Sequence, residues 1–266
     1  MTEASTMSVT DDVAVITLNH PDRHNAWTDA MGEAYFAHLS RCDADPTIRV
    51  VVVTGAGSSY CVGGDFAELE AISADRSLGE DEVRHRRHAE AAALRVPVIA
   101  AINGACAGIG LVQAMWCDVR FTCSRARFST AYARRGLPAE QGLSWLLTRS
   151  VGVGRAADLL LSGRTFDGAE AGALGLATVV GDSGADVTRH ALDYATDIAR
   201  NCSPAALAAI KRQLWSDLDR ASGPAIARSE ELTAELVAGD DFAEGVRAFG
   251  ERRTPRFDRA PKGYTG

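Results

Sequence analysis

Apolar residues follow two different spacings along this chain, and the two spacings alternate. Short runs rich in β-branched residues, bounded by turn-forming residues, are typical of buried strands. Five such runs predict strands: VAVITL (13–18), IRVVVVTG (48–55), VIAAING (98–104), DVRFTC (118–123) and LATVV (176–180). Segments with helical spacing separate them, and TDAMGEAYFAHLSRC, capped by Thr28, predicts the first helix. The pattern predicts an α/β fold with parallel crossovers and a buried sheet.

The strand signal ends at about residue 184. The segment SPAALAAIKRQLW carries a strong helix start, with Ser203 suited to the cap and Pro204 at the first helical position. Two further helical segments follow it, GPAIARSEELTAELVAG and DDFAEGVRAFGERR. We therefore predict two parts, a core over residues 1–200 and a helical region over residues 201–266.

Composition narrows the function classes. The 266-residue chain is 46% hydrophobic and has a formal net charge of −7, which disfavours nucleic acid as a partner. Its six cysteines form no C-x-x-C pair, which indicates a reduced intracellular protein. The first residues lack the pattern of a secretory signal, and no apolar run approaches the length of a membrane span. We expect a cytoplasmic protein with no membrane partner.

Two glycine-rich segments carry the candidate chemistry. In VVVVTGAGSSYCVGGDF the glycines follow a strand, but they do not open a helix as a dinucleotide fingerprint requires. In PVIAAINGACAGIGLVQAMWCD, residues Gly108 to Gly110 open an apolar helix. The free N–H groups at a helix start can stabilise an oxyanion, and glycine lets a ligand approach the backbone closely. A tight turn with close packing explains the same glycines equally well.

Five segments, in this order, resemble motifs of the enoyl-CoA hydratase/isomerase (crotonase) superfamily. They are NHPDRHNAW, YCVGGDFAEL, PVIAAINGACAGIG, LLLSGRTFDGAEAGALGLATVV and DDFAEGVRAFGERRTPRF. The resemblance covers about residues 13–258 and implies a spiral of ββα turns with a C-terminal helical region that forms trimers or hexamers. It implies a coenzyme A thioester as substrate, no separate cofactor, no metal site, and a role in fatty acid metabolism.

The resemblance also implies a shared catalytic device, in which two backbone N–H groups hold the thioester oxygen and stabilise an enolate. By position these are the N–H groups of Gly64 and Ile109. Asp65 is expected to brace the first loop. The positions that the motifs assign to substrate binding are Arg23, Ala26, Val62, Asp65, Gly108, Tyr132, Phe249 and Arg252. The arginines among them, together with Arg253, are candidates to bind the phosphates of coenzyme A.

The chain departs from the family pattern where hydratases carry two glutamates. The first position is Val112 and the second is Tyr132, so both carboxylates are missing. Glu140, in the context GLPAEQG, matches the place where dienoyl-CoA isomerases of the family carry an aspartate. We interpret Glu140 as the principal base, and Tyr132 as packing in preference to hydrogen bonding. Arg134 and Arg135 either pair with Glu140 or face solvent.

One carboxylate is enough to move a proton between carbons, so double-bond isomerisation is the first hypothesis. Hydration with Glu140 alone is the second, and a catalytically weak acyl-CoA binding protein is the third. His85 and His88 lie three residues apart in a charged run. We expect a solvated helix face there, in preference to a metal site.

Overall fold

A computed structural model describes residues 3–75 and 87–257 of the chain, and its main sheet confirms the predicted strands. Six strands form this sheet in the order β1-β2-β3-β5-β7-β10. They are β1 (Ser5–Thr10), β2 (Val13–Leu18), β3 (Val50–Gly55), β5 (Val98–Ile102), β7 (Val119–Thr122) and β10 (Thr178–Val179). Every pairing is parallel except that of β1 with β2, a hairpin that the pattern analysis missed.

A second, smaller sheet was not predicted. Its four strands lie in the order β4-β6-β8-β9. They are β4 (Ser59–Cys61), β6 (Ala105–Ala107), β8 (Arg127–Ser129) and β9 (Thr165–Asp167). Each has three residues, too few for an alternating pattern to show in the sequence.

The chain repeats one unit as it crosses the two sheets. A strand of the main sheet is followed by a strand of the small sheet and then by a helix, as in β3, β4 and the helix Phe66–Asp75. Among the described residues up to 201, the α-helices are α1 (Asp29–Ala44), α2 (Phe66–Asp75), α3 (Glu90–Ala93), α4 (Ile109–Met115), α5 (Leu143–Val151), α6 (Val153–Ser162), α7 (Gly168–Leu174) and α8 (Gly184–Asn201). This is the ββα spiral that the resemblance implies.

Helix α1 shows how the sequence pattern becomes packing. The Thr28 side chain accepts a hydrogen bond from the Met31 N–H and so caps the helix start. Met31, Tyr35 and Leu39 are fully buried on one face. Burying side chains of this size stabilises the fold by roughly 1.5–3 kcal/mol each, so α1 is fixed against the main sheet.

Three further α-helices form the C-terminal region as far as residue 257, where the described part of the chain ends. They are α9 (Pro204–Ser216), α10 (Ser222–Val237) and α11 (Asp240–Glu251). The Ser203 side chain caps α9 by accepting from the Ala206 N–H, as predicted. Large apolar side chains remain exposed along these helices: Ile210, Leu214, Ile226, Val237, Phe242, Val246 and Phe249. The division of the chain near residue 200 stays a prediction. Within the described residues, no helix has both the length and the apolar character needed to cross a membrane.

Candidate active site

Three loops meet at one edge of the small sheet. Strands β4, β6 and β8 lie side by side and run parallel. The chain therefore leaves all three at the same edge, where ligands commonly bind in α/β proteins. Residues 62–65 follow β4, residues 108–112 follow β6, and residues 130–141 follow β8. The small sheet thus brings the two predicted donor segments and the predicted glutamate positions together.

Two glycines allow the first two loops to touch. Gly63 has φ +105° and Gly108 has φ +51°, both in the region that side chains disfavour. A Cβ atom on Gly63 would stand 3.3 Å from the Ala107 carbonyl oxygen, and one on Gly108 would stand 3.7 Å from the Gly63 Cα. The glycines are required here for close approach, which places the following residues, Gly64 and Ile109, next to each other.

The backbone orients the Gly64 N–H group. Trp27 N donates to the Gly63 carbonyl and Asp65 N donates to the Trp27 carbonyl, both at 2.8 Å. In a parallel pairing of this kind, the residue between the two bonded groups turns its own N–H away from the partner. The Gly64 N–H therefore points away from Trp27, on a residue that is exposed.

The Ile109 N–H group is available for a different reason. Ile109 is the first residue of α4, and the first N–H groups of a helix have no acceptor within the helix. Gly108, which caps the helix, donates its own N–H to the Ser129 carbonyl at 3.1 Å. The arrangement offers two backbone donors from adjacent loops, the chemistry required to stabilise an oxyanion.

The segment 23–27 supports the first donor loop. Asn25 is fully buried, and its side-chain amide donates to the carbonyl groups of Ala56 and Ser59. Ala26 is buried, whereas Val62 is partly exposed. The Arg23 Nη1 atom lies 2.8 Å from Asp65 Oδ2, and the Asp65 side chain is only 3% exposed. Asp65 also accepts from the Ala67 N–H, so its carboxylate is held within the loop, which agrees with a bracing role.

A cavity of about 140 Å³ lies in front of the two donor residues. It has apolar, acidic and basic walls, contributed by all three loops and by α2. Its lining residues are Trp27, Asp29, Gly64, Asp65, Glu68, Leu69, Ile72, His88, Gly108, Ile109, Tyr132, Arg135, Leu137, Glu140 and Gln141. Glu140 therefore shares a cavity with both predicted donors.

The two positions without a glutamate differ in their surroundings. Val112 is fully buried in the hydrophobic core, where its side chain adds to packing. Tyr132 is also buried, but it lines the cavity, and its carbonyl accepts from the N–H groups of Arg135 and Leu137. Glu140 is partly exposed, on the loop that leads into α5. Of the three positions, Glu140 is therefore the one that brings a carboxylate to the cavity.

His88 corrects one expectation. The sequence predicted a solvated face, yet the His88 side chain is buried, with 2% of its surface exposed. Its ring packs 4.8 Å from the Trp27 ring, and its Nδ1 atom lies 2.8 Å from Gln141 Oε1. His85 lies outside the described residues. His88, Trp27 and Gln141 are cavity residues that the sequence analysis missed, because contacts between residues distant in sequence bring them together.

Two predicted binding residues lie away from this cavity. Phe249, on α11, is 88% exposed, and Arg252 follows the same helix on the surface. Arg253 instead binds Glu244 through side-chain hydrogen bonds, and these bonds lower the Glu244 pKa to about 2.

The two arginines that precede Glu140 in the chain differ in their contacts. Arg134 donates to the Ser162 carbonyl, whereas Arg135 lines the cavity.

Two buried cysteine thiols near the site stay protonated at neutral pH. Burial raises the pKa of the Cys61 and Cys117 thiols to about 12, so neither is a thiolate at neutral pH. Among residues 3–75 and 87–257, no cluster of three or more histidine, cysteine or acidic side chains is arranged to hold a metal ion.

Comparison with known proteins places this geometry in a family. Residues 8–260 match the family model described as enoyl-CoA hydratase/isomerase. A probable enoyl-CoA hydratase from Rhodobacter capsulatus is 34% identical over 252 residues, covering 94% of this chain and 95% of that protein. The probable enoyl-CoA hydratase EchA14 of Mycobacterium tuberculosis is 39% identical over 176 residues, covering 66% of this chain and 69% of its own length.

Solved structures agree with the sequence matches. The crystal structure of a probable enoyl-CoA hydratase/isomerase from Mycobacterium abscessus superposes with a TM-score of 0.89 at 34% identity, covering 96% of this chain and 98% of that one. An enoyl-CoA hydratase from Polaromonas also gives a TM-score of 0.89, at 28% identity and covering 96% and 99% of the two chains. The chain belongs to the enoyl-CoA hydratase/isomerase family.

Proposed function

We propose that this protein moves a double bond in an enoyl-CoA thioester, with Glu140 as the base and the N–H groups of Gly64 and Ile109 as the oxyanion donors. One observation carries the proposal. Glu140 lines the same cavity as both donors, whereas Val112 and Tyr132 occupy the positions of the usual hydratase glutamates.

The chemistry requires one base and one oxyanion site. Glu140 removes an acidic proton from the acyl chain, and the electron pair moves onto the thioester oxygen as an enolate. Two backbone donors aimed at that oxygen are typically worth about 3–4 kcal/mol each in the transition state. The protonated Glu140 then returns the proton to a different carbon, and the double bond has moved. No separate cofactor takes part in this sequence.

Hydration is the second candidate, and the names of the relatives favour it. The proteins from Rhodobacter capsulatus and Mycobacterium tuberculosis are both described as probable hydratases. In that reaction Glu140 activates a water molecule, which adds to the double bond. The reaction needs a positioned water as well as a base, and it ordinarily uses both glutamates that this chain lacks. A binding protein with little catalysis remains the third candidate.

The coenzyme A part of the substrate needs cations for its phosphates. Arg23 is half-exposed and lies beside the first donor loop, where it pairs with Asp65. We propose that Arg23 contacts this part of the substrate. Arg252 and Phe249 are far along the chain on the exposed C-terminal region, so their proposed binding role belongs to an assembly of several copies.

We further propose that the protein forms trimers or hexamers through its C-terminal helices. An apolar groove lies between α10, α11 and the start of α9, and it includes the side chains of Val237, Phe242, Val246 and Phe249. Exposed apolar patches of this kind often mark contacts between proteins.

The proposed reaction is tested by proton exchange. Wild-type protein and Glu140→Gln are incubated with a panel of enoyl-CoA thioesters in heavy water, and products are followed by mass spectrometry and NMR. Proton transfer by a positioned group contributes about 10²–10⁴-fold, so Glu140→Gln should lose deuterium uptake and double-bond movement by that factor. The matched control is Glu68→Gln, because Glu68 lines the same cavity. It should change the rate less than tenfold.

The outcomes separate the three candidates. Isomerised and deuterated product from wild type, lost in Glu140→Gln, supports the isomerase. Hydrated product from wild type supports the hydratase instead. Equal exchange in wild type and Glu140→Gln removes Glu140 from the mechanism, and binding without any conversion supports the binding protein.

A further inference from the structure

A second cavity, much larger than the site cavity, is lined in part by the chain neighbours of two site-lining residues. Its volume is about 860 Å³, against about 140 Å³ for the site cavity. Pockets for small molecules usually measure about 300–1,000 Å³. The site cavity is therefore small for a ligand, whereas the second cavity falls within the usual range. We call it the tryptophan chamber, because Trp116, Trp145 and Trp215 form part of its wall.

Two chain segments contribute to the lining of both cavities. His88 and Gln141 line the site cavity, and their chain neighbours Ala89 and Gly142 line the chamber. A hydrogen bond of 2.8 Å between His88 Nδ1 and Gln141 Oε1 joins these two segments.

Small residues keep the chamber open. Ala89, Ala92 and Ala93 line it from the segment around α3, and Ala208 lines it from α9. Alanine has no side chain beyond Cβ, so the space between these two segments is left unfilled. The buried Lys211 fixes their separation, because its Nζ donates to the carbonyl groups of Ala91 at 2.7 Å and Val96 at 2.8 Å.

The tryptophan rings are held in place before any ligand binds. Trp116 stacks with Trp215 at 5.5 Å and with Trp145 at 6.2 Å between ring centroids. Trp116 Nε1 donates to the Gln141 carbonyl at 3.0 Å, and Trp215 Nε1 donates to Asp118 Oδ1 at 2.7 Å. With these N–H groups bonded, the rings offer flat apolar faces. A preorganised wall loses little entropy when a ligand packs on it.

The charged residues of the chamber do not contradict an apolar ligand. Arg95 donates from its backbone N–H to Asp43 Oδ1 at 2.9 Å and from Nε to the Asp43 carbonyl at 2.8 Å. These two residues therefore satisfy each other at one side of the chamber. Arg212, Ser216 and Asp219 also line it, and Asp219 Oδ1 accepts from Arg149 Nη2 at 3.1 Å. The alanines and tryptophans form the apolar part of this wall.

We propose that the acyl group of the substrate passes the hydrogen-bonded pair His88–Gln141 into the tryptophan chamber, and that the substrates are CoA thioesters with a bulky apolar acyl end. The inference rests on the proposed function, which places the thioester at Gly64 and Ile109. The site cavity, at about 140 Å³, is smaller than the usual range for small-molecule pockets. A short acyl group fits there, whereas a ring or a long chain needs the larger space of the chamber.

Binding of saturated thioesters tests this proposal without catalysis, because a saturated acyl chain has no double bond to move or hydrate. Butyryl-CoA, 3-phenylpropanoyl-CoA and dodecanoyl-CoA, each below its micelle concentration, are titrated into the wild-type protein by calorimetry. At least one of the two bulky thioesters should bind tenfold or more tightly than butyryl-CoA. A gain with only one of them identifies a ring or a chain as the occupant, and equal affinities for all three overturn the proposal.

Filling the chamber provides the second test. Ala92→Phe and Ala208→Phe each place a ring in the empty space, and each should reduce the preference for the bulky thioester at least fivefold. Ala37→Phe, on the exposed face of α1, is the matched control and should keep the wild-type preference. A preference that survives both filling variants contradicts the chamber assignment.

Different results would reject the proposed reaction and the proposed role of the tryptophan chamber. Preferential binding of a bulky thioester, without proton exchange on any enoyl-CoA, rejects the proposed reaction and keeps the chamber. Proton exchange on the enoyl-CoA panel, without any preference in binding, rejects the chamber and keeps the reaction.

Discussion

At the scale of single residues, the candidate site depends on the backbone more than on side chains. Gly63 and Gly108 bring two loops into contact, and the predicted donors, Gly64 and Ile109, follow them in the chain. Many members of the family carry glycine where this chain has Ile109. The main-chain N–H is present in both, so the isoleucine side chain leaves the proposed donor intact.

Proline at position 109 tests the donor directly. Proline is well tolerated at the first position of a helix, and the preceding Gly108 is conformationally permissive, so Ile109→Pro should fold. It lacks the N–H group, and we expect it to reduce kcat about 10²–10³-fold on the enoyl-CoA substrate. Ile109→Ala keeps the N–H group and should retain most activity. A folded Ile109→Pro enzyme with full activity would show that the donor lies elsewhere.

At the scale of elements, one buried ion pair fixes α9 to the core. Lys211 Nζ lies 2.7 Å from Asp118 Oδ2, and the two side chains are 4% and 12% exposed. Burial lowers the Lys211 pKa, while the neighbouring Asp118 opposes that shift. Asp118 also accepts from the Val98 N–H and from Trp215. The pair therefore joins α9, the main sheet and the tryptophan chamber.

Removing the lysine should be costly. Lys211→Met leaves the Asp118 carboxylate buried without its cation, so we expect the free energy of unfolding to fall by about 3–5 kcal/mol. Arg200→Met is the matched control, because the Arg200–Asp11 pair is largely exposed and should contribute only about 0–1 kcal/mol. Denaturant unfolding of both variants, at one protein concentration, measures the difference. Equal losses would contradict the role assigned to Lys211.

At the scale of the whole molecule, the C-terminal helices present more apolar surface than a single copy covers. Val246 and Phe242 are more than half exposed on α11, and Ile226 is similarly exposed on α10. The proposed trimer or hexamer would bury these side chains. Phe249 and Arg252, which the family motif assigns to substrate binding, lie on or next to the same helix.

Self-association is tested by sedimentation at micromolar protein concentration. Wild type should sediment well above the 28.2 kDa of one chain. Val246→Asp places a charge in the apolar groove and should shift the protein towards a single chain, whereas Val9→Asp, on the exposed strand β1, should not. A wild-type protein that sediments as one chain would contradict the assembly.

The sequence by itself determined the large elements and the family. Runs such as VAVITL and the capped helix starting at Ser203 are local signals, because propensity and capping act within a few residues. The collinear motifs placed Gly64, Ile109 and Glu140 as candidates. Their location around one cavity agrees with that placement, while their roles stay predictions.

Only the tertiary structure decided the surroundings of the site. The three-residue strands of the small sheet gain their stability from pairing with distant segments, so their own residues carry little signal. His88 is buried by Trp27 and Gln141, which lie about fifty or more positions away in either direction. The tryptophan chamber likewise joins residues from the middle and the end of the chain. Local patterns cannot report such contacts, because burial depends on which distant side chains the fold brings near.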